Sequence, residues 1–149
     1  ALDPAPFTPL FAMDDASLAA INARRVLVDT NPGFPCRISL EDAAVGEEVI
    51  LLNHTHQPAA SAFQAAHAIY VRQNAAQATP APDEVPAMIQ LRLTSLRGFD
   101  ARDEICIADV VDGADVACAI TRFLSDPKVC YVHLHNAKLG CFTARAERC

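Results

Sequence analysis

The chain has 149 residues, 52% of them hydrophobic and 20% charged, with 12 basic against 18 acidic side chains and a formal net charge of −6 at pH 7. A chain of this length buries about two-thirds of its unfolded surface in one core without disulfide or metal staples, so one domain over residues 1–149 is expected. Nucleic acid is not an expected partner, because lysine occurs only at Lys128 and Lys138 and phosphate binding needs clustered positive charge. No membrane span is expected either, since apolar runs such as Val49 to Leu52 fall far short of the roughly 20 residues that cross a bilayer.

In chain order, Ala1 to Pro6 show neither a basic n-region nor a long apolar h-region, so no secretory leader is expected there. Asp14 is placed to cap a short first helix, with Met13 and Leu18 as its hydrophobic staple. Strand-like runs follow at Arg25 to Asp29, Cys36 to Leu40, Val49 to His54 and Ala68 to Arg72, separated by turn signals such as Asn31-Pro32-Gly33 and Gly46. Gln73 to Pro82 is rich in alanine, glutamine and proline and reads as an exposed connection. The spacing of Val85, Ile89, Leu93 and Leu96, after Asp83 and before Gly98, predicts a capped helix. Ile105 to Val111 reads as a strand, and Val116, Ile120, Phe123 and Leu124 form one face of a helix that stops before Asp126-Pro127. Val129 to His135 and Cys141 to Arg145 read as the last two strands. The expected fold is α+β: a mixed, largely antiparallel sheet with two main helices, one C-terminal βαβ crossover whose strands run parallel, and a short N-terminal helix.

The six cysteines, Cys36, Cys106, Cys118, Cys130, Cys141 and Cys149, contain no CxxC pair. No disulfide framework is expected, which places the chain in a reducing compartment, the cytoplasm. Cys106, Cys118 and Cys130 fall within apolar patterns and are expected to fill core space, while Cys149 is a tail residue.

Four of the five histidines form two His-x-His pairs, His54/His56 and His133/His135. Residues two apart in a strand share a face, so such pairs on neighbouring strands can converge on one cation. Imidazole suits a divalent transition metal such as zinc or iron, with His67 and Cys36 as possible additions. A second constellation surrounds Cys36: a rigid turn precedes it, Arg37 can favour its thiolate, and His56 or His135 can serve as the base of a Cys-His nucleophile. Arg37, Arg72, Gln57 and Asn136 offer the guanidinium forks and amides that bind a polar or anionic small molecule. The weighed alternative is a non-catalytic binding or protein-interaction module in which these residues are structural. The chain has no GxGxxG, Walker, GxSxG or HExxH motif, and its oligomeric state is left open.

Pro32-Gly33-Phe34-Pro35-Cys36-Arg37, His56-Gln57-Pro58, Ile69-Tyr70-Val71-Arg72 and His133-Leu134-His135-Asn136-Ala137 with Gly140-Cys141 together resemble the bacterial family of unknown function numbered 1203. The resemblance is in order and spans nearly the whole chain. It implies a single-domain bacterial protein without an established activity. It marks Cys36, Arg37, His56, Gln57, Arg72, His133, His135, Asn136, Gly140 and Cys141, and leaves out His54 and His67. The metal set it supports is therefore His56, His133 and His135. Ser61-Ala62-Phe63-Gln64 departs from the family pattern, which carries Ser-Pro-Tyr-Arg there, and so lacks its arginine.

Overall fold

The computed structural model describes residues 1–148; Cys149 lies outside the described residues. Its elements are α1 (Asp15–Ala20), β1 (Ala23–Leu27), β2 (Glu48–Gln57), β3 (Ala65–Arg72), α2 (Ala87–Gln90), β4 (Thr94–Phe99), β5 (Ile105–Val111), α3 (Val116–Leu124), β6 (Tyr131–Asn136) and β7 (Phe142–Glu147). The fold class is α+β, with sheets ordered β1-β2-β3 and β5-β4-β6-β7. The chain forms two compact units, Ala1–His54 with Ala68–Thr79 and Thr55–His67 with Pro80–Cys149, so β2 and β3 each run through both. Among the described residues, no helix is long and apolar enough to cross a membrane.

In the first unit the Asp14 carboxylate accepts the Ser17 N–H at 2.7 Å, which caps α1 as its sequence predicts. The buried face of α1 is Leu18, which joins Phe7, Cys36, Ile38, Ile50 and Ile69 in the core. The expected strand at 36–40 does not form. Cys36 makes a single bridge to Tyr70, and Leu40 turns back at φ +52° so that its N–H reaches the Cys36 carbonyl at 3.1 Å. A positive φ ends an extended run whatever its β-propensity.

In the second unit β4 is antiparallel to both β5 and β6. It follows that β5 and β6 run parallel, joined through α3, with β4 between them. The expected crossover is thus present in split form, and β7 adds antiparallel to β6.

The segment expected to be a long helix differs most. Only Ala87–Gln90 is helical, and Thr94–Phe99 is a strand. The apolar spacing fits a helix, but the residues from Thr94 onward gain hydrogen-bonded partners on both sides as a central strand, and tertiary pairing outweighs local period. Gly98 is therefore not a helix cap. A Cβ there would lie 2.6 Å from Ile107 Cγ2 and 3.3 Å from Phe123 Cδ2, so glycine lets α3 pack close onto the sheet.

The expected core cysteines are also corrected: Cys106, Cys118 and Cys130 are exposed, and Cys36 is the buried one. Cys106 belongs to the outward-facing residues of the edge strand β5, and Cys118 lies outside the buried α3 set of Val116, Ala119 and Phe123.

Candidate metal centre

Tyr131 to His135 of β6 are all buried. Strand alternation divides them. Val132, opposite Gly98, belongs to the side where Gly98 meets Phe123 of α3, so Tyr131, His133 and His135 point to the other face. On that face lie His56 and His67, carried on the parts of β2 and β3 that belong to this unit.

One nitrogen from each of His56, His67 and His135 lies within 4.8 Å of the others. His56 Nε2 and His67 Nδ1 share a hydrogen bond at 2.8 Å. Phe142 stacks on His56, with ring centroids 4.8 Å apart and planes 4° apart, and closes one side of the cluster.

His135 is the best-defined member. It is fully buried, and its Nδ1 lies 2.8 Å from the Gly140 carbonyl. A carbonyl only accepts, so Nδ1 carries the proton and Nε2 holds a lone pair. Among the described residues, that Nε2 is buried without a hydrogen-bond partner. The loop after β6 builds this arrangement. Asn136 accepts the Lys138 N–H at 3.1 Å through its side chain and the Gly140 N–H at 2.8 Å through its carbonyl, while Gly140 sits at φ +75°, which glycine tolerates without strain.

Burial, with Arg97 adding to it, pushes the His135 pKa down to about 3 despite the Gly140 hydrogen bond. Burial, followed by Arg145 and Arg97, takes His133 down to about 4, and His67 is lowered by burial and then Arg97. Neutral imidazole is the form that coordinates metal.

His133 stands beside the triad, its ring 5.5 Å from His56 and its Nδ1 buried without a hydrogen-bond partner among the described residues. Below it the Tyr131 hydroxyl donates to Asp103 Oδ1 at 2.6 Å and accepts from Gln57 Nε2 at 2.6 Å. Burial and the Asp103 hydrogen bond raise the Tyr131 pKa to about 12, so it stays a neutral donor.

The structure thus brings His56, Gln57, His133, His135 and Asn136 into one unit and adds His67, which the sequence motifs set aside. The residue reading offered His67 only as a possible addition because the expected strand began at Ala68; β3 begins at Ala65, so His67 is a strand residue. Cys36, Arg37 and Arg72 belong to the first unit. There Cys36 is fully buried in the apolar core, and the buried Arg37 donates to the Pro35 carbonyl. Arg72 pairs with Glu41 at 3.1 Å and Glu47 at 3.0 Å. His54, also in that unit, meets Phe7 edge-on at 5.6 Å.

Fold and site together define an α+β protein with a three-histidine cluster, His135 buried and His56 and His67 half-buried, compatible with a metal ion. The model of a family described as protein of unknown function, DUF1203, matches residues 33–148, and the chain belongs to that family. No curated protein and no solved structure matches it.

Proposed function

We propose that His56, His67 and His135 hold a divalent transition metal, zinc or iron, and that a small molecule binds or reacts there. The observation that carries this is His135 Nε2, a lone pair buried with no hydrogen-bond partner among the described residues and aimed by the Gly140 carbonyl on the opposite ring nitrogen. A carbonyl on the far nitrogen is the usual outer support of a metal-ligating histidine. An all-imidazole donor set suits zinc, iron, copper or nickel over magnesium or calcium. Three protein ligands leave a coordination position for water or substrate, as catalytic sites do and closed structural sites do not. Such an ion would supply Lewis acidity and activate a bound water. His133, which the sequence motifs placed among the ligands, borders this site and faces Phe99 at 4.8 Å and Phe142 at 5.1 Å.

A non-catalytic binding module is the second reading. The 2.8 Å hydrogen bond between His56 Nε2 and His67 Nδ1 favours it, because two nitrogens that pair with each other need no ion between them. Elemental analysis of protein purified without added metal, followed by zinc, iron and cobalt titrations, separates the two. Uptake of one equivalent, lost in His135→Ala and His67→Ala, is the expected result. Failure of the wild-type chain to take up any of the three ions refutes the metal centre.

A further inference from the structure

Strand register lines up four residues across the second sheet: Ala108 of β5 opposite Arg97 of β4, Arg97 opposite His133 of β6, and His133 opposite Arg145 of β7. Directly opposed residues in antiparallel strands share a face, so all four lie on the face that carries the histidines. Two guanidinium groups therefore flank a buried neutral imidazole.

The two arginines differ in what satisfies them. Arg145 pairs with Glu147 at 3.0 Å and lies over the Tyr131 ring at 3.9 Å. Arg97 is partly buried, yet among the described residues its guanidinium has no hydrogen bond, ion pair or ring partner. Its neighbours in the row, an alanine and a neutral histidine, provide no counter-charge, and the histidine triad contains no carboxylate. Partial burial lowers its pKa, and a guanidinium partly withdrawn from water with no counter-charge beside it gains when an anion arrives. The Arg97 charge also depresses the pKa of His67, His133 and His135 alike, which is consistent with its lying beside the cluster.

We infer that Arg97 is the anion-binding residue of the histidine site, and that the molecule bound there presents a carboxylate or phosphate group to it. The inference rests on the histidine cluster being a ligand site. The guanidinium fork matches the two oxygens of either group, while the imidazoles, or an ion held on them, add no negative charge to repel it. The ligand is then a small organic acid or phosphate ester whose anionic end lies against β4. Nothing in the sequence motifs singles out Arg97, because it lies in the segment whose apolar spacing mimics a helix.

Acetate and inorganic phosphate serve as probes of the two groups. Each is titrated into the metal-free full chain and into the cobalt-loaded full chain. Binding is followed by amide NMR shifts in the first case and by the visible cobalt spectrum in the second. The wild type should bind one of the probes at least tenfold more tightly than Arg97→Gln, with Arg97→Lys in between, and which probe binds assigns the group. Equal cobalt uptake by wild type and Arg97→Gln, with weaker anion binding by the variant, supports Arg97 independently of the metal. If the wild type takes up no cobalt, the metal centre falls, and the metal-free titration still decides on Arg97. Should Arg97→Gln fail to fold, Arg97→Lys provides the comparison. Equal anion affinity in wild type and variant, or no binding of either probe in both forms, overturns the inference.

Discussion

Acidification of the metal-free protein tests the buried histidines directly. His133 and His135 titrate near 4 and 3 in the folded state, against about 6.5 in an unfolded chain. Because the folded pKa values are depressed, the unfolded chain takes up protons first as pH falls. Stability is therefore present above about pH 6.5 and is lost progressively below it. Linkage over those intervals gives a loss of roughly 2 kcal/mol from each ring between pH 7 and pH 5, so about 4 kcal/mol together, a large share of the 5–15 kcal/mol typical of a folded domain. His54 and His67 are also shifted down, which adds in the same direction. The carboxylates with depressed pKa values, Asp14, Glu47, Asp100 and Asp109, titrate in an unfolded chain at 3.8 to 4.5 and act mainly below pH 5. The window from pH 6.5 to 5 thus belongs mainly to the histidines. Urea unfolding at pH 7, 6 and 5, extrapolated to water, measures the loss. Ring nitrogen NMR should show His133 and His135 still neutral at pH 5. A total loss under about 1 kcal/mol, or a His135 ring that protonates near pH 6, would refute the buried neutral cluster.

Bound metal should oppose this acid sensitivity: an ion at 100 times its dissociation constant adds about 2.7 kcal/mol, read as a rise in melting temperature that a chelator reverses and His135→Ala lacks. Gly113→Ala should destabilise the second unit by more than about 3 kcal/mol, because the new Cβ would sit 2.1 Å from the backbone oxygen of Gln90; unchanged thermal melting would contradict that packing. Tyr131→Phe should lose about 1–3 kcal/mol by stranding Gln57 and Asp103, whose side chains meet the Tyr131 hydroxyl, and a variant as stable as wild type in urea would argue against the network.

Local chemistry made much of the fold legible. Asp14 caps α1, Ile105–Val111 is a strand, and Val116–Leu124 is a helix ending just before Asp126-Pro127. Each of these depends on interactions within a few residues: a side chain reaching N–H groups one turn away, period-2 alternation, or a proline that stops a helix. The same holds for the His-x-His pair on β6, whose two rings share a face because strand alternation demands it.

Residues 94–99 show where such reasoning ends. Leu96 and Gly98 fit the end of a helix as well as they fit a strand, and the β5 and β6 partners that decide between them are distant in sequence. The site follows the same rule. The sequence by itself determined that histidines sit in strand pairs, that charge is sparse, and that no long apolar span occurs. Only the tertiary structure decided that His67 joins His56 and His135, that Cys36 is buried in the core of the first unit, and that Arg97 stands opposite His133 with no counter-ion among the described residues. Those facts depend on strand register and on which backbone segments pair, and register is set by packing across the whole sheet, not by any neighbouring residue.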